Sequence, residues 1–171
     1  ENLMDGNRAF YQVLSKGKSF TVQRDDGSTD TIYVDILDFD NPEKNRFHAV
    51  NQFSVSRETT IRPDVNLLVN GIPLVTMELK SQAQDNDWHD AVRDIQNYEE
   101  GVPRLFVPGL FNIAADTFEL RYGSVGAPKE FYEPWNDAPE EYEDTNDVKQ
   151  AVRSLCNPNS ILDLLKNFVF Y

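Results

Sequence analysis

A mixed β-sheet with helices packed on it, an α/β architecture, is the fold class this sequence predicts. Three observations lead there. Short runs rich in β-formers recur between residues 19 and 122, and Asp25-Asp26-Gly27 and Asn70-Gly71 supply hairpin turns between them. Segments with apolar residues at helical spacing lie near both termini and in the middle of the chain. A length of 171 residues, 40% hydrophobic and 12% aromatic, suits a single domain with one packed core and excludes wholesale disorder.

In chain order, residues 3–16 carry Leu3, Phe10, Val13 and Leu14 at roughly helical spacing, and Gly17 reads as the helix stop. Strands are expected over 19–24 and 31–39, then over 48–56, where the residues alternate. Residues 63–69 and 72–80 form the next pair around Asn70-Gly71. The stretch 88–98 reads as a helix with apolar residues at 88, 91, 92, 95 and 98. Short strands are expected over 104–107, 111–115 and 118–122, and irregular structure over 128–143. Residues 147–155 and 160–171 read as helices, separated by Asn157-Pro158, with Ser160 as N-cap of the second. The chain begins at Glu1 rather than Met, so a fragment or processed product is expected.

No apolar run approaches the ~20 residues that span a bilayer, and residues 1–16 carry no signal-peptide pattern. The lone cysteine, Cys156, makes no internal disulfide and reads as a small packing residue, which points to a reducing, cytoplasmic setting. The formal net charge of −13 argues against a domain that grips nucleic acid alone. Part of the acid is concentrated between Glu130 and Asp147, a stretch that reads as a solvated loop.

Several motifs fail. Gly17-Lys18-Ser19 resembles the end of a phosphate-binding loop, but Gln12 stands where its first glycine belongs and a helix precedes it. Asp38-Phe39-Asp40 begins like a calcium loop, yet Pro42 takes a ligand position and no glycine follows. His48 and His89 form no paired-histidine zinc motif.

The informative segment is Arg62 to Lys80, a hairpin with Asp64 early in its first strand and Glu78 and Lys80 late in its second. Glu78 and Lys80, two apart, share a face. A two-residue Asn70-Gly71 loop pairs Val69 with Ile72 and sets Asp64 opposite Met77, leaving Glu78 on the other face. A three-residue loop with Gly71 as a bulge pairs Val69 with Pro73 and sets Asp64 opposite Glu78, Cβ atoms about 5 Å apart. A shared site therefore demands a bulge or some other one-residue offset. Two carboxylates at that spacing can share Mg²⁺, which takes hard oxygen ligands at about 2.1 Å, with the Leu79 carbonyl as a further ligand. Lys80 then orients a water or stabilises a pentacovalent phosphate. The plain alternative is an exposed strand end with a salt bridge.

Pro63-Asp64 followed by Glu78-Leu79-Lys80 resembles the PD-(D/E)xK nucleases. The longer text, Asn45-Arg46-Phe47, Val50-Asn51-Gln52, Arg62-Pro63-Asp64-Val65, Asn70-Gly71-Ile72-Pro73-Leu74 and Glu78-Leu79-Lys80, resembles the N-terminal nuclease domain of the motor (restriction) subunit of type I restriction enzymes. The similarity runs from about Asn45 to Trp135 and weakens after Pro103. It implies a restriction-endonuclease-like fold over 1–171, a type I site-specific deoxyribonuclease, Mg²⁺, and cleavage of unmodified double-stranded DNA. It also implies an ATP-driven helicase-like motor downstream, toward which residues 156–171 lead, and modification and specificity subunits as partners. ATP would bind only in that motor. Asp64, Glu78 and Lys80 are the catalytic residues implied, with Asp64, Glu78 and the Leu79 carbonyl as metal ligands.

The family carries Gln-x-x-x-Tyr on the following helix. Tyr98 matches, but Asp94 stands in place of Gln, on the same helix face. Asp94 either weakens a DNA-phosphate contact, adds a metal ligand, or is a solvated residue on a packing helix. Two other functions stay open: a non-catalytic module of the same fold that couples motor to partners, and a repair-type nuclease of the same superfamily.

Overall fold

The computed structural model describes residues 2–81, 86–135 and 147–169. Helix α1 (Leu3–Lys16) begins where the Asn2 side chain accepts from the Met4 amide and ends at Gly17, whose φ of 65° suits glycine. Among the described residues, strands β1 (Lys18–Gln23) and β2 (Thr29–Val34) pair only with each other, as an antiparallel ribbon. After a 3-10 turn at Pro42–Lys44 come β3 (Phe47–Asn51), the short pair β4 (Val55–Ser56) and β5 (Thr60–Ile61), then β6 (Val65–Val69) and β7 (Ile72–Leu79). Helix α2 (Trp88–Gly101) and the short α3 (Pro103–Phe106) lead to β8 (Phe111–Ala115) and β9 (Leu120–Ser124). Then follow β10 (Glu133–Pro134), α4 (Asp147–Leu155) and α5 (Pro158–Asn167).

The main sheet has six strands in the order β10-β9-β8-β7-β6-β3. Only β7 and β8 run parallel; the other neighbours are antiparallel. A parallel pair requires a crossover, and α2 with α3 supplies it. One sheet face packs Val75, Met77, Ile113 and Ala115 against Leu14 of α1, Leu155 of α4, and Ile161, Leu162 and Leu165 of α5. The opposite face packs Ala114 against Ala91, Val92 and Ile95 of α2 and Phe106 of α3. This is the α/β sheet flanked by helices that the sequence predicts.

Several boundaries differ from expectation. The strand expected over 104–107 is helical: Pro103 sits at the first helical position, where its fixed φ suits a helix and its missing N–H costs nothing. The strand expected over 31–39 stops at Val34, and Asp38 then folds the chain by accepting the Asp40 and Asn41 amides. The strand expected over 48–56 breaks at Gln52, which takes a φ of 49°. The expected strand over 118–122 begins at Leu120, because Asp116 turns the chain by accepting the Phe118 and Glu119 amides. The last helix is capped by Asn157, not Ser160: its side chain accepts from the Ser160 amide, with Pro158 in the first turn. Residues 129–134 hold a 3-10 turn and β10, while 136–146, most of the acidic stretch, lie outside the described residues.

The β6–β7 hairpin decides the site. Asn70 and Gly71 both have positive φ, 52° and 83°, so the loop is the two-residue turn its Asn-Gly sequence favours, and Val69 pairs with Ile72. The three-residue loop is therefore not formed. One step further, Leu68 pairs with Pro73 but Leu67 with Val75, leaving Leu74 as the extra residue of a bulge. Pro73 explains the position: without an N–H it cannot donate to a ladder, and inside sheets proline is confined to such irregularities. Beyond the bulge Val65 pairs with Met77, so Asp64 comes level with Glu78.

Asn70 also ties the turn to its surroundings. Its Oδ1 accepts from the Arg46 amide at 2.8 Å, and its Nδ2 donates to the Ile36 carbonyl at 2.9 Å and to Asn45 Oδ1 at 3.0 Å.

Candidate active site

Glu78 pairs with Ala114 of β8, which pairs with Arg121 of β9, so this row faces α2. The fold thus buries a carboxylate under a helix: Glu78 is only 5% exposed. Its Oε1 accepts from Lys80 Nζ at 2.9 Å, while Oε2 is buried with no hydrogen-bond partner among the described residues. Burial pushes its pKa up. The Lys80 hydrogen bond pulls the other way, and the charges of Asp64 and Asp94 add to the rise.

Asp64 approaches from the end of β6. Its carbonyl accepts from the Gln52 amide at 2.8 Å, and its Oδ2 accepts from the Leu79 amide at 2.8 Å. The Lys80 amide donates to the Ala115 carbonyl on the β8 side, so Leu79 directs its N–H to the β6 side. In an extended strand a residue's C=O leaves on the same edge as its N–H, which aims the Leu79 carbonyl toward Asp64.

Helix α2 supplies the roof. Asp87 caps it by accepting the His89 and Asp90 amides, and the Trp88 amide donates to Asp116 Oδ2 at the end of β8. Ala91, Val92 and Ile95 are wholly buried. With the helix so fixed, Asp94 faces the strand end and its Oδ2 accepts from Lys80 Nζ at 2.5 Å. Lys80 thus bridges two carboxylates. Its ammonium resists deprotonation: burial opposes the charge, and the hydrogen bonds to Asp94 and Glu78 outweigh it. One turn on, Tyr98 is half-buried, and its pKa is pushed up to about 12, by burial first and then by the charges of Glu78 and Asp94.

The five side chains singled out in the sequence, Asp64, Glu78, Lys80, Asp94 and Tyr98, therefore converge at one end of the β6–β7 hairpin beneath α2. Cys156, the two histidines and Trp135 do not join them. Cys156 packs at the edge of the opposite core, His48 and His89 are exposed, and Trp135 stacks edge-on against Tyr122 and donates to Ser154 at 2.5 Å. The Lys80–Asp94 contact was not foreseen, although its signal was present: Asp94 is one turn from Tyr98, on the face already assigned to the site. Asn66, on the same face as Glu78, was missed. It is fully buried, takes a hydrogen bond from Thr76 at 3.1 Å, and leaves Nδ2 without a partner.

Among the described residues no group of three or more His, Cys, Asp or Glu side chains is disposed to hold a metal ion. Asp64, Glu78 and the Leu79 carbonyl are among the oxygen donors at this end. An orphaned carboxylate oxygen beside a second carboxylate fits a hard divalent cation.

A six-stranded mixed sheet flanked by helices is consistent with a restriction-endonuclease-like fold, and Asp64, Glu78 and Lys80 stand at one end of its β6–β7 hairpin. The chain belongs to the family described as the type I restriction enzyme R protein N terminus, whose profile matches residues 1–131. It is 29% identical over 178 aligned residues to the type I restriction enzyme HindI endonuclease subunit of Haemophilus influenzae, covering 99% of this chain and 17% of that protein. It is 28% identical to the putative MjaIXP endonuclease subunit of Methanocaldococcus jannaschii, over 92% of this chain and 16% of that protein. It is 34% identical to the SauCOLORF180P endonuclease subunit of Staphylococcus aureus, over 71% of this chain and 13% of that protein. The chain thus spans 13–17% of the length of these relatives. No helix among the described residues is long and apolar enough to cross a membrane.

Proposed function

We propose that this chain is the Mg²⁺-dependent endonuclease domain of a type I restriction enzyme, hydrolysing phosphodiester bonds of unmodified double-stranded DNA in the cytoplasm. The observation that carries this reading is the buried, unpartnered Oε2 of Glu78 beside Asp64 and within reach of a lysine. A scaffold has no use for burying a carboxylate among like charges, because desolvation and repulsion both oppose it.

Asp64, Glu78 and the Leu79 carbonyl would hold Mg²⁺, which supplies Lewis acidity toward the phosphate and makes water a stronger acid. The protein's own groups do the rest. Lys80, kept cationic between Glu78 and Asp94, places positive charge where negative charge builds on the phosphate. Tyr98 keeps its proton throughout the working pH range and serves as a neutral donor rather than a base. Helix α2 covers the site and lowers the effective dielectric around these charges.

The net charge of −13 fits a domain that is handed its DNA. The remainder of the subunit, with an ATP-driven motor, and the modification and specificity subunits would grip and recognise the duplex. The same charge favours a rival, a non-catalytic interface module. Cleavage by the full-length subunit with its partners and ATP, wild type beside Glu78→Ala, separates the two. A variant that consumes ATP without cutting supports the nuclease. Equal cutting by both, or none by either while ATP turns over, replaces it with the interface module.

A further inference from the structure

The Lys80–Asp94 contact has a geometry that distinguishes among the roles open to an acid at this place. Lys80 and Glu78 lie two apart on one strand and share a face, so an unrestrained lysine would fold onto Glu78 alone. A lysine also carries about 2 kcal/mol of rotamer entropy and holds no fixed position by itself. Asp94 approaches from a different element. Helix α2 is capped by Asp87, bolted to Asp116 through the Trp88 amide, and packed by Ala91, Val92 and Ile95, so Asp94 is presented from a rigid support. It takes Nζ at 2.5 Å while Glu78 Oε1 takes it at 2.9 Å. Lys80 is 16% exposed and Asp94 29%, so the contact is shielded from water.

Two other roles fit less well. A carboxylate facing a DNA phosphate repels it, and here Lys80 occupies the carboxylate. A metal-ligand role competes with Lys80, whose ammonium already takes Asp94 Oδ2 at 2.5 Å.

We propose that Asp94 is a positioning residue that holds the Lys80 ammonium over the site, leaving Glu78 with one oxygen engaged and the other free. The proposal rests on the nuclease reading for its consequence in catalysis, but the hold itself is independent of it.

The experiment compares wild type, Asp94→Ala and Asp94→Asn in the full-length subunit with its partners and ATP. Single-turnover cleavage is followed as a function of DNA and of Mg²⁺ concentration. Alongside it, acylation of Lys80 by a small amine-reactive reagent is quantified by mass spectrometry. Asp94→Ala is expected to lower the cleavage rate by roughly 10- to 100-fold with half-saturating DNA and Mg²⁺ unchanged, and to raise Lys80 acylation several-fold. Asp94→Asn keeps an acceptor for Nζ and is expected to recover part of both effects. A shifted Mg²⁺ requirement would make Asp94 a metal ligand, and a shifted DNA requirement would make it a DNA contact. Unchanged Lys80 acylation would show that it holds nothing; each of these three results overturns the proposal. If wild type and Glu78→Ala cut alike, the nuclease reading fails, while the acylation result still decides whether Asp94 holds Lys80.

Discussion

Asp64 reaches the second strand of its hairpin through the backbone: its Oδ2 accepts the Leu79 amide at 2.8 Å. The contact exists because of the Leu74 bulge. Without that extra residue Asp64 would lie opposite Met77 and point into the other face of the sheet. With it, an acid from each strand lies on the sheet face covered by α2, and the consequences are measurable.

The first concerns the cation. If Asp64 and Glu78 share a divalent ion, Mg²⁺ or Ca²⁺ will raise the melting temperature of wild type and not of Asp64→Ala or Glu78→Ala. At about a hundredfold over Kd the stabilisation is ~2.7 kcal/mol. Cleavage by each variant is expected to fall by at least about 10³-fold. In the absence of metal, Glu78→Ala should melt no lower than wild type, since a buried charge among like charges is removed. A metal-induced shift of equal size in all three proteins would move the ion elsewhere.

Tyr98 is the second case. Its hydroxyl, with a pKa pushed up to about 12, does not titrate in the working range. Tyr98→Phe is expected to slow cleavage by about 10-fold, or about 1.4 kcal/mol, with the shape of the pH–rate profile unchanged below pH 10. A rate equal to wild type removes Tyr98 from the site.

A third test uses the buried acid next to it, Glu99. It is 8% exposed, with Oε1 accepting from Asn112 Nδ2 at 2.8 Å and from the Gly126 amide at 2.9 Å. Burial raises its pKa above the ordinary 4.5, and these two hydrogen bonds only partly oppose the rise. The folded state therefore binds this proton more tightly than the unfolded chain. Its contribution is fully present below the unfolded pKa and is lost as pH rises through the folded one. Glu99→Gln, which keeps the acceptor, is expected to flatten the decline in stability above pH 4.5 in denaturant titrations. Parallel curves for the two proteins would remove Glu99 as the source.

The turn supplies a fourth. Asn70 adopts a positive φ and makes three side-chain hydrogen bonds, to Arg46, Ile36 and Asn45. Asn70→Ala loses them all and strains the backbone, at about 2–3 kcal/mol. A drop in Tm of roughly 4–10 °C is expected. A change under 1 °C would show that the turn is held by other contacts.

Much of this was legible in the residues. Asn-Gly between two apolar runs marks a type I′ turn, because only such residues take positive φ cheaply. Apolar spacing over 88–98 located α2, and the acids in the hairpin located the candidate site. Errors fell where a local signal was read with too short a reach. Leu105 and Phe106 look like strand, but Pro103 at a first helical position starts a turn instead. Ser160 looks like a cap, but Asn157 before Pro158 holds the better place.

The sequence by itself determined the class of fold, the hairpin, and the acids and lysine that stand at its end, since these depend on periodicity and turn chemistry within a few residues of each other. A shared site for those acids required a one-residue offset, whose position the residues left open. Only the tertiary structure placed that offset at Pro73-Leu74, in a strand hydrogen-bonded on both edges where a missing N–H must be absorbed. Only the tertiary structure set Asp94 against Lys80, because that contact depends on how α2 lies across β7 and β8. Packing of Ala91, Val92 and Ile95 fixes that pose; helical spacing puts Asp94 on the Tyr98 face but does not set it against Lys80.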